Sequence, residues 1–200
     1  AMNNFLTERG LLNIERVSLS PVTDPLAHDV EHVPSIHYKG HRYQTTHSMI
    51  YSKFLACFNP KFKGIFVDSP NIRLEIESPE GTQRKKYAID FSQMDIELRR
   101  NRGVTLSEYL NEPDRVKTIL AEDREKALGF FEDMIIASME AIAQKNEEDL
   151  KSIGVALEVP KRPFPRFNKD EVQRQYSNQN YEQEVGKRLD TQFFWITGLM

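Results

Sequence analysis

A single cysteine, Cys57, stands in the 200 residues. No intrachain disulfide can form, and a reducing compartment suits such a chain. Cys57 falls on an apolar helical stretch, which favours a packing role over a nucleophilic one. No apolar run approaches the roughly 20 residues a helix needs to cross a bilayer. No signal-like segment opens the sequence, so the expectation is a cytoplasmic protein with no membrane partner. The nine glycines form no phosphate-cradling loop. Basic excess is lacking too: 27 Lys and Arg against 30 Asp and Glu leave a net charge of −3. Nucleic-acid capture wants a positive surface, so this balance argues against tRNA as a partner of the chain. What remains is ordinary: 39% hydrophobic and 28% charged residues, enough for one soluble domain with a real core. Neither an internal repeat nor a linker divides it.

The informative stretch runs from Thr45 to Glu97. Side chains of a strand alternate between its faces. Over Ile72 to Ile76 this sets Ile72, Leu74 and Ile76 against Arg73 and Glu75. Over Ala88 to Leu98 it sets Ala88, Met94, Ile96 and Leu98 against Phe91, Gln93, Asp95 and Glu97. Two half-buried strands, joined through a turn at Pro79-Glu80-Gly81, each offer a polar face on which an arginine, acids, an amide and an aromatic converge. The same alternation describes any antiparallel strand with one wet face, so periodicity alone does not make a site.

The rest of the chain supplies the surroundings. Residues 3–9 make at most two helical turns, and Leu11 to Leu19 alternates loosely as a strand. Pro21 to Pro34 is a loop carrying Asp24, His28, Asp29, Glu31 and His32. It has no helical pair of histidines and no thiol, so no metal site is assigned there. Ser35-Ile36-His37-Tyr38 and Arg42-Tyr43-Gln44-Thr45 flank Lys39-Gly40-His41 as a hairpin. Ser48 is placed to cap a helix over Met49 to Phe58, with Met49, Ile50, Phe54 and Leu55 as its apolar stripe. Phe62 to Val67 reads as a strand that ends at Asp68-Ser69-Pro70. A short helix near Leu106 to Leu110 precedes a long one from Asp114 or Asp123 to Lys145. Leu128, Phe131, Ile135, Met139 and Ile142 form the expected buried stripe of the long helix, with Met134 and Met139 as core filler. Glu147 to Ile153 continues it up to Gly154. Lys161 to Phe167 is a rigid connector, Asn168 and Glu171 form a capping box, and Phe193 to Thr197 is an aromatic strand.

Arg73-x-Glu75, a hairpin and Asp90-Phe91-Ser92-Gln93-x-Asp95-x-Glu97 resemble motif 2 of class II aminoacyl-tRNA synthetases of the aspartate/asparagine branch. His47-Ser48-Met49 with Lys53 resembles the corresponding segment of aspartate–ammonia ligase, the A-type asparagine synthetase built on the same core. The resemblance implies an α+β fold, an antiparallel sheet flanked by helices, over one core at 2–200. Its segments would be 2–100 (a motif 1 remnant, the substrate loop and motif 2), a mainly helical 103–160, and a connector at 161–200. Motif 3, a glycine-rich strand and helix with a second arginine, is not among these 200 residues. The helix of motif 1 is nearly absent, which weakens the homodimer that the resemblance implies.

The resemblance also implies roles. Arg73 would clamp the α-phosphate and the attacking carboxylate, Glu75 would accept from the adenine amino group, and Phe91 would stack on the base. Gln93 and Asp95 would face the amino acid, with Asp95 on its ammonium; Ser48 and Lys53 would position it and read its acidic end. Asp29, with Asp24 as second choice, would be the acid of the substrate loop. Substrates would be ATP with Mg2+, aspartate and ammonia, giving an asparagine-forming ligase. The alternatives are activation of the α-carboxylate, as in aspartyl- or asparaginyl-tRNA synthetases, and a non-catalytic nucleotide- or amino-acid-binding module.

Overall fold

The computed structural model describes residues 1–21, 34–46, 48–74, 88–99, 103–176, 181–189 and 192–198. Side chains are described for all of these except 73–74, 88–91 and 181–183. The chain clusters into two compact units, Leu6–Gly103 and Ala1–Phe5 with Val104–Met200. The segment expected at 2–100 falls mainly in the first, and those at 103–160 and 161–200 fall in the second. The architecture is α+β, as expected.

The short helix α1 (Met2–Glu8) leads into the first unit. That unit holds two three-stranded sheets. One consists of β1 (Leu12–Asn13), β5 (Gly64–Leu74) and β6 (Ala88–Leu98), with β1 parallel to β5 and β6 antiparallel to it. The other is antiparallel, in the order β2 (Leu19–Ser20), β4 (His41–Thr45), β3 (Ser35–Tyr38). The expected hairpin is present. Tyr38 pairs with His41 across a two-residue turn in which Lys39 and Gly40 both have positive φ, 49° and 78°, the backbone that matches strand twist in a tight hairpin.

Two strand expectations are corrected. Leu11 to Leu19 is not one strand: Leu12 pairs with Ile65 in one sheet and Leu19 with Thr45 in the other. The polar Glu15-Arg16 between them lies where the backbone leaves the first sheet. Conversely, Asp68-Ser69-Pro70 does not end a strand. β5 runs unbroken from Gly64 to Leu74, with Pro70 opposite Ser92. The reason lies in hydrogen-bond parity. Ile72 N–H donates away from β6, to the Thr46 carbonyl at 3.2 Å. Alternation turns the Pro70 nitrogen to that same outer side, where no ladder bond to β6 is lost.

The ladder fixes which residues share a face. Ile65/Glu97, Val67/Asp95, Ser69/Gln93, Asn71/Phe91 and Arg73/Ile89 are directly opposite pairs. In an antiparallel ladder directly opposite residues project to the same side. Phe66/Ile96, Asp68/Met94, Pro70/Ser92 and Ile72/Asp90 take the other. The polar face is not the wet one: Ile65, Val67, Ser69 and Asn71 on it are all fully or almost fully buried.

The second unit is built on α4 (Pro113–Lys145). It is preceded by α3 (Leu106–Asn111), which Thr105 and Glu108 close with a reciprocal capping box, a Thr-x-x-Glu signal. α5 (Glu147–Ser152) follows, and Gly154 at φ 69° ends it. Then come β7 (Arg166–Asn168), α6 (Lys169–Tyr176), α7 (Tyr181–Leu189) and β8 (Trp195–Thr197), with β7 and β8 parallel. Asn168 Oδ1 accepts from Asp170 N–H at 2.9 Å at the start of α6. The expected stripe of α4 is corrected. Leu128, Phe131, Ile135 and Met139 are only half-buried and Ile142 is exposed, while the buried positions include Gly129, Glu132, Met134 and Ser138.

Glu132 explains the difference. It is 0% exposed and its carboxylate gathers the segment after α5. Arg162 Nε donates to Oε2 at 3.1 Å, and Phe164 N–H and Trp195 Nε1 donate to Oε1 at 3.1 and 2.9 Å. Arg166 reaches Oε1 at 3.4 Å. A buried carboxylate is tolerated when its lone pairs are met this way. Gly129 makes room, because a Cβ there would lie 2.6 Å from the Arg162 guanidinium. The expected rigid connector is thus tied to α4 by its own arginines, with Phe164 stacked on Trp195 at 6.3 Å between centroids.

Candidate active site

Thr46 brings the site together. Past β4 its N–H donates to the Ser18 carbonyl and its own carbonyl accepts from Ile72, holding the chain against the outer edge of β5. Two residues on, Ser48 and Met49 are buried, and α2 (Ile50–Cys57) starts. Ser48 is not the cap that its residue type suggests. The N-cap is Met49, in left-handed backbone at φ 55°, ψ 28°, with no side-chain cap bond. The Met49 sulfur accepts from Val17 N–H at 3.3 Å. A left-handed methionine is costly and persists only where its surroundings over-determine it. Here burial of the side chain and the turn into α2 do so.

The apolar stripe expected on α2 is corrected in part. Met49 is buried and Ile50 half-buried, but Phe54 and Leu55 are exposed, and the residue the helix itself buries is Lys53. The cause is the surface it meets: α2 packs on β5 and β6, and the side chain it sends inward finds carboxylates. Lys53 Nζ lies 3.3 Å from Asp95 Oδ2 and 3.9 Å from Glu97 Oε1. Lys53 is 6% and Asp95 7% exposed. Gln93 Nε2 donates to Asp95 Oδ1 at 2.7 Å. Asp95 Oδ2 has the lysine as ion partner but no aligned hydrogen bond.

The geometry thus joins three sequence-marked residues, Lys53 on α2 with Gln93 and Asp95 on β6, while Ser48 is buried just before the helix. Arg73 stands on the same face by register, opposite Ile89, and Phe91 stands opposite Asn71. The side chains of Arg73 and Phe91, and all of Glu75, Asp24, Asp29 and His47, lie outside the described residues. Ser69 and Asn71 share this buried face, and the sequence reading misses them because it ends the strand at Pro70. Continuing the alternation Ile65, Val67, Ser69, Asn71, Arg73 through the proline would have found them.

Electrostatics follow the packing. Burial, with Asp95 adding to it, raises the Glu97 carboxyl above its ordinary value, and Lys53 pulls it partly back. Burial also raises the Cys57 thiol, helped by Glu97 and opposed by Arg99. A thiol held protonated is a poor nucleophile, in keeping with a packing role. Among the described residues no group of three or more His, Cys, Asp or Glu is placed to hold a metal, and no helix is long and apolar enough to cross a membrane.

No protein-family profile matches the chain. Over 86 residues, 42% of this chain, it is 29% identical to the aspartate–tRNA(Asp) ligase of Pyrococcus furiosus and 30% identical to that of Pyrococcus abyssi. The chain spans about a fifth of the length of these relatives. Among solved structures it is similar to Entamoeba histolytica asparaginyl-tRNA synthetase in complex with asparaginyl-adenylate, with TM-score 0.59 and 11% identity over 94% of this chain and 39% of that one. The Pyrococcus horikoshii asparaginyl-tRNA synthetase complexed with asparaginyl-adenylate gives TM-score 0.58 and 12% identity over 97% and 36%. The chain thus has a fold like that of these asparaginyl-tRNA synthetases, a class II aminoacyl-tRNA synthetase-like fold.

Proposed function

We propose that the α2–β5–β6 face belongs to an enzyme that activates L-aspartate with ATP as an adenylate and passes it to ammonia, forming asparagine and releasing AMP and pyrophosphate. The observation that carries this reading is the buried Lys53–Asp95–Gln93 group on the face that also carries Arg73. Aspartate has two carboxylates and one ammonium. Its complement is two cations and one anion, which Lys53, Arg73 and Asp95 provide. Lys53 and Asp95 neutralise one another; on binding, Asp95 turns to the ammonium and Lys53 to a carboxylate. Gln93 holds Asp95 Oδ1 throughout and so keeps its other oxygen free to change partner.

In this reading Arg73 bridges the phosphate and the attacking carboxylate, since a planar guanidinium offers paired donors that an ammonium cannot. It thereby neutralises charge that spreads on the phosphoryl oxygens. Glu75 and Phe91 take the adenine, Ser48 orients the amino acid, and Asp29, with Asp24 as second choice, is the acid of the substrate loop beside the amino acid. ATP with Mg2+ supplies the leaving group. The names of the relatives favour a second reading, in which the α-carboxylate is activated and tRNA is the acceptor. The acidic net charge supports the ammonia route. One experiment separates them: ATP, aspartate and labelled ammonia are supplied to the protein and the products analysed. Labelled asparagine with AMP supports the ligase, whereas AMP release that needs tRNA and ignores ammonia sinks it. Binding is checked by melting. An adenine nucleotide at ~100 times its dissociation constant adds about 2.7 kcal/mol, and Arg73→Ala should abolish that gain.

A further inference from the structure

On α2 the apolar side chains are on the outside. The helix packs on β5 and β6 and sends Lys53 inward. Tyr51, Phe54 and Leu55, with Phe58 at the C-cap in helical backbone, recur at i, i+3, i+4 and i+7, the spacing of one helical stripe. They are 53%, 53%, 70% and 78% exposed. At roughly 200 Å² for a large side chain, these exposures leave about 500 Å² in one patch, the upper end of what a monomer ordinarily shows. Charge is missing from it as well. From Tyr51 to Pro60 the only charged side chain is Lys53, which is buried against Asp95. The stripe lies on a convex helix, so it does not enclose a small molecule as a cleft would. A helix that lies on a membrane sets a basic polar face against its apolar one, whereas the lysine of α2 points into the protein.

We infer that this stripe is a self-association surface, on which α2 of a second copy lies antiparallel across a two-fold axis. In that arrangement Phe54 and Leu55 sit at the axis and meet their own counterparts, and Tyr51 of each copy meets Phe58 of the other. Two such faces bury about 1,000 Å² between them, the size at which an interface becomes specific. Interface cores are rich in Tyr and Phe and poor in charge. Two chains of net charge −3 can meet there without setting like charges opposite one another. The homodimer that the resemblance implies uses motif 1, at the start of the chain, and α2 is no part of it. Nothing in this pairing depends on the activity proposed above.

The test is sedimentation equilibrium of the full chain up to high-micromolar concentration, for wild type, Phe54→Glu and Leu55→Glu. A monomer–dimer equilibrium is expected for wild type. Each variant should raise its dissociation constant by roughly 100-fold or more, because it would bury two unpaired carboxylates at the axis. Both should keep the far-ultraviolet circular dichroism of wild type, since the two side chains are exposed within one chain. A second readout locates the face. In a Cys57→Ser background, Leu55→Cys should give a disulfide-linked dimer on mild oxidation, because the two-fold sets position 55 against itself. Lys117→Cys, exposed on α4, should not. A wild-type chain that stays monomeric throughout overturns the pairing. A dimer that both glutamate variants leave intact also overturns it, as does cross-linking equal at positions 55 and 117. No arm involves nucleotide or amino acid, so failure here is separate from failure to form AMP.

Discussion

Replacing Lys53 by methionine keeps the unbranched apolar stem of the side chain and removes its ammonium. At 3.3 Å from Asp95 Oδ2, two unit charges attract by about 5 kcal/mol at an effective dielectric constant near 20. Desolvation of both groups cancels much of this, so the intact pair adds little net stability. Breaking it is another matter, because Asp95 is then buried with Gln93 as its one donor among the described residues and Glu97 nearby. Loss of one partner of a buried pair costs about 3–5 kcal/mol. Adding Asp95→Asn removes the stranded charge and should return ~2–3 kcal/mol of that loss, leaving the double variant more stable than Lys53→Met alone. Urea unfolding at neutral pH, followed by circular dichroism, measures the cycle. Both single variants should weaken aspartate binding far more than nucleotide binding. If Lys53→Met is as stable as wild type, or if Asp95→Asn gives no rescue, the buried pair described between α2 and β6 is wrong.

Other outcomes follow from the same reasoning. Glu132→Ala strands the Phe164 N–H and Trp195 Nε1 donors, at about 1–3 kcal/mol each, whereas Glu132→Gln keeps one acceptor and should cost less; equal losses would contradict the four-donor geometry. Gly129→Ala should destabilise the second unit by displacing Arg162, and Arg162→Ala in the same chain should relieve the clash. The raised Glu97 carboxyl binds its proton more tightly folded than unfolded. Its contribution to stability is therefore complete below the ordinary carboxylate value of 4.5 and is lost as pH rises through the higher folded value. Wild type should accordingly lose stability relative to Glu97→Gln as pH rises above that ordinary value, and a gap that stays constant would refute the raised carboxyl.

Much of the site was legible because strand alternation is a strong constraint. Once Gln93 and Asp95 are on one strand and Arg73 on its partner, a single register puts all three on one face. The hairpin was legible from Gly40, whose freedom at positive φ the tight turn needs. The proline misled, since residue type alone does not say which way its nitrogen points within a ladder. Ser48 misled for a similar reason: a good cap residue was present, but burial of Met49 set where α2 begins. The least legible feature was which face of each helix is inside. On α2 a lysine goes in and phenylalanines stay out, and on α4 a glutamate is more buried than the leucine and phenylalanine near it. In both cases the partner is a charge distant in sequence, beyond the reach of any local period.

The Glu132 carboxylate joins groups 30, 32 and 63 residues away, which makes it a timer as well as a tie. The Phe164 amide and the Trp195 indole share one acceptor oxygen, so separation of this segment from α4 releases both hydrogens at once. Their exchange rates should coincide and should report the opening of that whole unit. The indole would then serve as an internal clock for unfolding.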